Sequence, residues 1–465
     1  MITPNNYKKI YFIGIGGIGM SALARYFHSN GAEVKGYDLT PSPLTQTLEK
    51  EGIPIHYTDS PEFLSEWYPN SSEVLVVYTP AVPDDLGELV YCRTHNFRVV
   101  KRSEALGEAV YNQQLLAVAG THGKTTTSSL LAHLMHNSHV GGNAFLGGIV
   151  ANYSSNLLLD PQSDFVVVEA DEYDRSFLHL SPHMAIVTSL DPDHLDIYET
   201  PEGYREGFAQ FVARIKPNGA LVYKKGIYPQ LPQRAKGVRA FSYAMEQEAD
   251  FYADNLQFKE GKLFFDWHCK ADGLTLSSLE LGVPIAINVE NATAAMAVAY
   301  LNGVTAEELR ESLSSFRGIH RRFERLVDTP RCVFIDDYAH HPEELRAAIT
   351  SVRKLYPQES ILGIFQPHLY SRTQDFYKEF AQSLSLLDEV ILLPIYPARE
   401  EPLPGVTSEL ILQEISISSK SIIAREEVVT HLEQRSDLPR IILTLGAGNI
   451  DRIVPLLAQL LRTRR

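Results

Sequence analysis

Short apolar runs, each closed by a glycine-bearing or polar turn and followed by a helix-like stretch, recur along most of the chain. In residues 8–108 the runs KIYFIGIGG, EVKGYDL, VLVVYTPAV and RVVKRSEAL alternate with helical stretches such as SALARYFHSNG. That rhythm predicts a parallel sheet with helices packed over it. A second set begins with LLAVAG, contains DFVVVEADE and MAIVTSLDPDH, and continues through the helix-like VENATAAMAVAYL to about residue 320. Within it, Thr305 followed by Glu308 forms a capping box that opens the helix AEELRESLSSF. A third set runs RCVFIDDYAHH, LGIFQPH, EVILLPIY, SIIAR and RIILTLGAG. It ends in NIDRIVPLLAQLLRTR, a helix with an apolar stripe and terminal arginines that complement its dipole. The arginine-rich segment SFRGIHRRFERL has no clear period and is the predicted hinge between the second and third sets.

Length changes the picture first. At 465 residues the chain exceeds a single core, and the alternation divides it into three α/β domains, 1–108, 109–321 and 322–465. Apolar residues at 44% and charged residues at 21% are those of an ordinary globular protein. A formal charge of -15 argues against a nucleic-acid or anionic-membrane surface, so any phosphate site must be local. Cys92, Cys269 and Cys332 are too scattered for a disulfide framework or a zinc knuckle, which points to a reducing cytoplasm. The opening run MITPNNYKKIYFIGIGG lacks a signal-peptide pattern and no run approaches a membrane span, so the expectation is a cytoplasmic protein without membrane insertion.

Candidate chemistry concentrates in LLAVAGTHGKTTT. Gly120, Thr121, His122, Gly123, Lys124, Thr125 and Thr126 stand where an apolar strand delivers a phosphate to a helix. The glycines admit backbone N–H groups to phosphate oxygens, Lys124 adds a cation, and the Thr125 hydroxyl suits the magnesium that accompanies a nucleoside triphosphate. The generic phosphate-loop pattern wants a glycine at Val118, whereas the narrower GT-x-GKTT is matched in full. Glu169 ends one strand and His194 follows another, where magnesium ligands are expected beside such a loop. Asp171 and Glu172 read equally well as a solvated acidic turn. Gly14-Ile15-Gly16-Gly17-Ile18-Gly19 is a second diphosphate-type loop, with Gly16, Gly17, Ile18 and Gly19 at the helix start and Asp38 after the next strand. Alone it suggests an NAD-dependent dehydrogenase; the ATP-type loop farther on has no use in hydride transfer. His133, His136 and His139 drift around a helix without an adjoining acid and read as surface residues, not metal ligands.

In order, GIGGIGMSALA, AGTHGKTTT, VVVEADE, DPDHLDIY, DDYAHHP, FQPHLYSRT and LGAGNI resemble the Mur ligases across essentially the whole chain. The resemblance implies an N-terminal Rossmann-like domain for a UDP-sugar, a central P-loop ATPase-type domain and a C-terminal Rossmann-like domain that closes on an amino acid. It implies ATP and Mg2+, with UDP-N-acetylmuramate and L-alanine as substrates joined through an acyl phosphate, in a monomer or homodimer. Thr125, Glu169 and His194 would hold magnesium, and Lys124, His194 and Arg372 would be catalytic. Asn291, Arg322 and His340 would reach the nucleotide; Tyr338, His368 and Arg372 would face the muramyl and alanine groups. His122 within the ATP loop marks the first, alanine-adding member of the family. So does the lack of a lysine in PEGYREGFAQF, where Phe208 stands near the position that later-acting ligases carbamylate. The chain departs from the family pattern at Leu369, often arginine, and at Ser189-Leu190-Asp191-Pro192, often N-I-E. A ligase joining a preformed tripeptide to the same UDP-sugar is the nearest alternative.

Overall fold

The computed structural model describes residues 7–68, 71–227, 237–398 and 400–463. The chain separates into two compact units. The first comprises the chain up to Asn255 with Asp266–Leu279 and Val289–Phe316; the second comprises Leu256–Phe265, Glu280–Asn288 and everything from Arg317 onward. The division after Phe316 falls inside the arginine-rich segment expected to be the hinge.

Two sheets are built mainly on the first unit; three strands of the second sheet run partly through Leu256–Phe265 and Glu280–Asn288. One has the strand order Ile55–His56, Glu33–Tyr37, Lys9–Ile13, Val74–Tyr78, Arg98–Lys101, all parallel. The order reverses beside Lys9–Ile13, whose C-terminal end carries the first glycine loop, so the loop opens at the switch point where ligands collect. Nearly every residue of Lys9–Ile13 and Val74–Tyr78 is buried, as expected of strands covered on both faces.

The other sheet has ten strands, in the order Leu274–Leu281, Lys262–Cys269, Phe251–Lys259, Arg239–Met245, Ala220–Lys224, Met184–Val187, Gln114–Ala119, Phe165–Glu169, Asn143–Val150, Ser155–Leu158. Its middle is parallel, and Asn143–Val150 returns antiparallel to Ser155–Leu158. Gln114–Ala119, Phe165–Glu169 and Met184–Val187 are neighbours, which brings the ATP-type loop and Glu169 to one edge.

One continuous core joins the two sheets, running from Ile10, Phe12 and Leu23 through Phe145 and Leu157 to Val187 and Phe208. Asn156, fully buried, bolts the first helix, Ile18–Ser29, to the second sheet. Its amide donates to Ser21 Oγ (3.1 Å) and to the Ile18 carbonyl, and its Oδ1 accepts from Arg25 Nη1 (2.7 Å). Lys101 and Asp174 add an ion pair at 2.6 Å.

The second unit is built on a six-stranded sheet ordered Glu324–Asp328, Val333–Asp337, Ile441–Leu445, Ile361–Phe365, Glu389–Leu392, Lys420–Ile422. All pairs are parallel except the first, at one edge. The expected last helix is split: a 3-10 turn at Asn449–Arg452 precedes the α-helix Val454–Thr463. Pro455 has no N–H to donate and fits only in a first turn, so the α-helix restarts there. Arg462 closes that helix and donates to the Leu326 carbonyl (2.8 Å); the following arginine, Arg464, lies outside the described residues. The capping box at Thr305 and Glu308 is present as predicted. Among the described residues no helix is long and apolar enough to cross a membrane.

Candidate active site

The strand Gln114–Ala119 is buried from Leu115 onward and runs into Gly120-Thr121-His122-Gly123, from which the helix Lys124–His136 rises. The turn requires both glycines. Gly120 has φ +132° and Gly123 φ +80°; a Cβ on the first would lie 2.1 Å from Thr188 Oγ1 and on the second 2.7 Å from Asn291 Oδ1. Behind the loop, His122 N–H donates to Ser189 Oγ (2.9 Å), and Thr121 Oγ1 donates to the Asp191 carbonyl (2.7 Å) while sharing a hydrogen bond with the Tyr204 hydroxyl (2.8 Å). The departure at Ser189 therefore braces the phosphate loop through its hydroxyl, whereas Asp191 contributes its main-chain carbonyl. The His122 side chain is exposed, with Nε2 3.8 Å from Asp191. Thr126, half-buried, lies in the first turn of the helix, whose unpaired N–H groups make an anion site.

Thr125 Oγ1 donates to Glu169 Oε1 at 3.0 Å, and Glu169 Oε2 accepts from the Gly147 N–H at 3.1 Å. Burial pushes the Glu169 carboxyl up, with Thr125 and Lys124 opposing. A hydroxyl beside such a carboxylate is the oxygen donor set that magnesium takes, so these residues fit the ion. His194 sits at φ +51° with its ring 5.2 Å from Tyr173 and Nε2 3.8 Å from Asp193. No cluster of three His, Cys, Asp or Glu is gathered for a metal among the described residues.

Lys124 Nζ donates to the Gly120 carbonyl (2.8 Å), more distantly to that of Thr121 (3.4 Å), and to Glu172 Oε1 (2.7 Å). Glu172, 1% exposed, is thus part of the site; Asp171 beside it stays partly exposed, 3.7 Å from Arg102. Asn291 accepts from Thr127 Oγ1 at 3.2 Å and lies over Gly123, against the phosphate loop.

The first glycine loop has the same construction. Gly14 has φ +83°, and a Cβ on Gly16 would meet Asp38 and Thr45. Asp38 Oδ2 accepts the Gly16 N–H at 2.7 Å, so this acid braces the loop. Gly17 caps the helix that begins at Ile18, and a Cβ on Gly19 would lie 2.7 Å from Arg102 Nη1. Arg102 brings a guanidinium to the start of that helix, a feature that motif spacing does not reveal because the residue lies far along the chain.

In the second unit Tyr338, His340, His368 and Arg372 collect at one end of the sheet. The rings of Tyr338 and His340 are 5.3 Å apart, those of His340 and His368 6.1 Å, and Arg322 lies 5.8 Å over Tyr338. Arg372 Nη1 and His368 Nδ1 are buried without a hydrogen-bond partner. Burial lowers both histidines' pKa values and the nearby Arg372 adds to this, with Glu344 opposing at His340 and Glu400 at His368. Leu369, between His368 and Arg372, holds φ +71°, a conformation a leucine rarely adopts and one found where the fold over-determines a site.

The three histidines of the phosphate-loop helix are corrected in part. His136 and His139 lie toward the surface, but His133 is 2% exposed, with Nδ1 2.7 Å from Tyr153 Oη and Nε2 2.9 Å from Ser315 Oγ. An acid does adjoin them: the N–H of His139 donates to Glu308 at 2.7 Å.

Residues 9–114 match the Mur ligase family catalytic domain, residues 118–299 the Mur ligase middle domain, and residues 321–453 the Mur ligase glutamate ligase domain. The chain belongs to the Mur ligase family. It is similar to the UDP-N-acetylmuramate–L-alanine ligase of Porphyromonas gingivalis strain W83, 57% identical with 98% of this chain and 99% of that one covered. The ligase of the same name from Parabacteroides distasonis is 52% identical, with 97% and 96% covered. The crystal structure of the UDP-N-acetylmuramate–alanine ligase of Thermotoga maritima superposes with a TM-score of 0.81 at 27% identity, covering 98% of this chain and all of that one. As a Mur ligase the chain has the family's three-domain α/β architecture and is an ATP-dependent ligase that forms an amide bond.

Proposed function

We propose that this Mur ligase joins L-alanine to the lactyl carboxylate of UDP-N-acetylmuramate, with release of ADP and phosphate, in the cytoplasmic synthesis of peptidoglycan precursors. The observation that carries the reading is the convergence of Lys124, Thr125 and Glu169 on a loop whose two glycines pack too closely against Thr188 and Asn291 to carry side chains. The full-length similarity to alanine ligases supports the choice of substrates.

A carboxylate is a poor electrophile, and two anions must meet before it can be phosphorylated. Thr125 and Glu169, joined by His194 as the resemblance implies, would hold a magnesium ion, which would supply charge neutralisation at that meeting. Lys124 offsets the charge on the transferring phosphoryl group, and the loop N–H groups from Gly120 to Thr126 hold the nucleotide phosphates. The UDP-sugar diphosphate rests on Gly16, Gly17, Ile18 and Gly19, with Asp38 fixing the loop and facing the ribose side. Asn291 and Arg322 with His340 take the nucleotide, and Tyr338, His368 and Arg372 take the muramyl and alanine groups. The lactyl carboxylate oxygen attacks the γ-phosphorus and ADP leaves. The alanine amine then attacks the acyl phosphate carbon, and phosphate leaves from the tetrahedral intermediate. The unpaired nitrogens of Arg372 and His368 suit an anionic group there.

The test is a panel of amino acids, together with a preformed tripeptide, offered with UDP-N-acetylmuramate, ATP and magnesium while ADP and phosphate are measured. Release that depends on L-alanine supports the reading. Release that depends on the tripeptide and ignores alanine rejects it.

A further inference from the structure

Lys124 has three N–H bonds, and the structure directs all three inward: two to carbonyls of its own loop and one to Glu172. A phosphate can take this cation only by displacing a partner it already has. The carbonyl contacts belong to the turn itself, so the displaceable partner is the carboxylate. Resting on the ATP reading above, we infer that Glu172 is a positioning residue that holds Lys124 folded against its loop until nucleotide phosphate competes it away, and so sets the affinity for nucleotide.

The surroundings of Glu172 favour this role over a stabilising one. Its Oε1 takes Lys124, while its Oε2 is buried with no partner. An ion pair taken out of water with half its acceptor capacity empty is poor support for a fold, because desolvation offsets most of the attraction. The main chain at Glu172 is pinned independently of the side chain. Its carbonyl accepts from Tyr198 Oη (2.7 Å) and from the Arg175 N–H (3.0 Å). The carboxylate is therefore presented to Lys124 from a fixed backbone, and changing its charge leaves that backbone anchored. Asp171, one residue earlier, faces Arg102 and cannot substitute for it.

E172Q keeps the shape and removes the charge. Calorimetric titration with ADP, and with a non-hydrolysable ATP analogue plus magnesium, should show nucleotide binding about tenfold tighter in E172Q than in the parent, the equivalent of one charge-assisted hydrogen bond no longer competing. Amine-reactive labelling read by mass spectrometry should modify Lys124 faster in nucleotide-free E172Q. E172D, whose carboxylate is one methylene farther from the cation, should fall between the two and serves if E172Q does not fold. A packing role predicts the opposite sign, weaker binding with a lower melting temperature. Binding in E172Q or E172D that is equal to or weaker than the parent's, in folded protein, overturns the inference and leaves the ATP reading standing. A parent protein that binds neither nucleotide overturns the ATP reading itself.

Discussion

Thr125, in the first turn of the helix that follows Gln114–Ala119, donates from its hydroxyl to the carboxylate of Glu169, at the end of the neighbouring parallel strand, at 3.0 Å. In the proposed metal site the contact would align two oxygen ligands in advance. Glu169→Gln should lower turnover by about a hundredfold or more, the scale for losing one electrostatic group aimed at a transition state. Calorimetry should show UDP-N-acetylmuramate affinity within about twofold of the parent, because that site rests on the other sheet. Unchanged turnover would remove Glu169 from the proposed metal site.

Lys124→Ala should abolish ligation and leave UDP-sugar binding nearly intact. The glycine loop that would hold the UDP-sugar and the loop that carries Lys124 end different strands of different sheets. Titration of the folded variant with UDP-N-acetylmuramate checks this, and loss of that binding is the contrary result.

Phe208 is fully buried, with its ring 5.1 Å from both Phe177 and Tyr204, and the helix Pro201–Ala213 around it contains no lysine. Turnover should be the same in carbon-dioxide-depleted buffer and with bicarbonate restored. A clear rescue by bicarbonate would show that a carbamylated lysine acts from elsewhere.

His133 gives the stability of the first unit a pH dependence. Burial lowers its pKa to about 4 from an ordinary 6.5, so the unfolded chain binds the proton more tightly than the folded one. Its contribution is complete above pH 6.5 and is lost as the pH falls toward 4, amounting to about 3 kcal/mol over that window. Melting temperature against pH should drop less steeply in His133→Gln than in the parent, and parallel curves would refute the assignment.

Arg322→Ala should weaken apparent ATP and alanine binding and lower turnover together, with UDP-sugar affinity nearly unchanged. The proposed alanine residues follow the hinge segment in the chain, and closure of their domain would also keep water from the acyl phosphate. Initial rates with all three substrates varied should show ATP and UDP-sugar binding before alanine, and scattering should report compaction when those two are added. Random order without compaction is the outcome that fails.

The phosphate loop was legible because its chemistry is local: two glycines, a lysine and a threonine within one turn after an apolar strand. The same holds for the glycine loop at Gly16 and the capping box at Thr305. What the motifs could not reveal lies in long-range pairing. Asp171 and Glu172 are equivalent in sequence, and only the fold decides that Glu172 reaches a lysine 48 positions away while Asp171 stays near water. His133 escaped for a related reason. Its helix is buried continuously from Thr127 to Met135, so no polar face exists to which a histidine could be assigned. The strands between Arg239 and Leu281 carry no motif, although Leu263, Phe265, Trp267 and Cys269 alternate inward with the period of a half-buried strand.

Asn156 gives the molecule a fixed length scale. Because its amide ties the helix that starts at the first glycine loop to the sheet that carries the phosphate loop, the two proposed anchor points cannot drift apart independently. Under the proposed function the first unit would act as a ruler: a UDP-sugar gripped by its diphosphate would present its carboxylate at a set reach. Selection among acids would then follow from span as well as contact, so that a substrate longer or shorter by a few bonds would misplace its carboxylate.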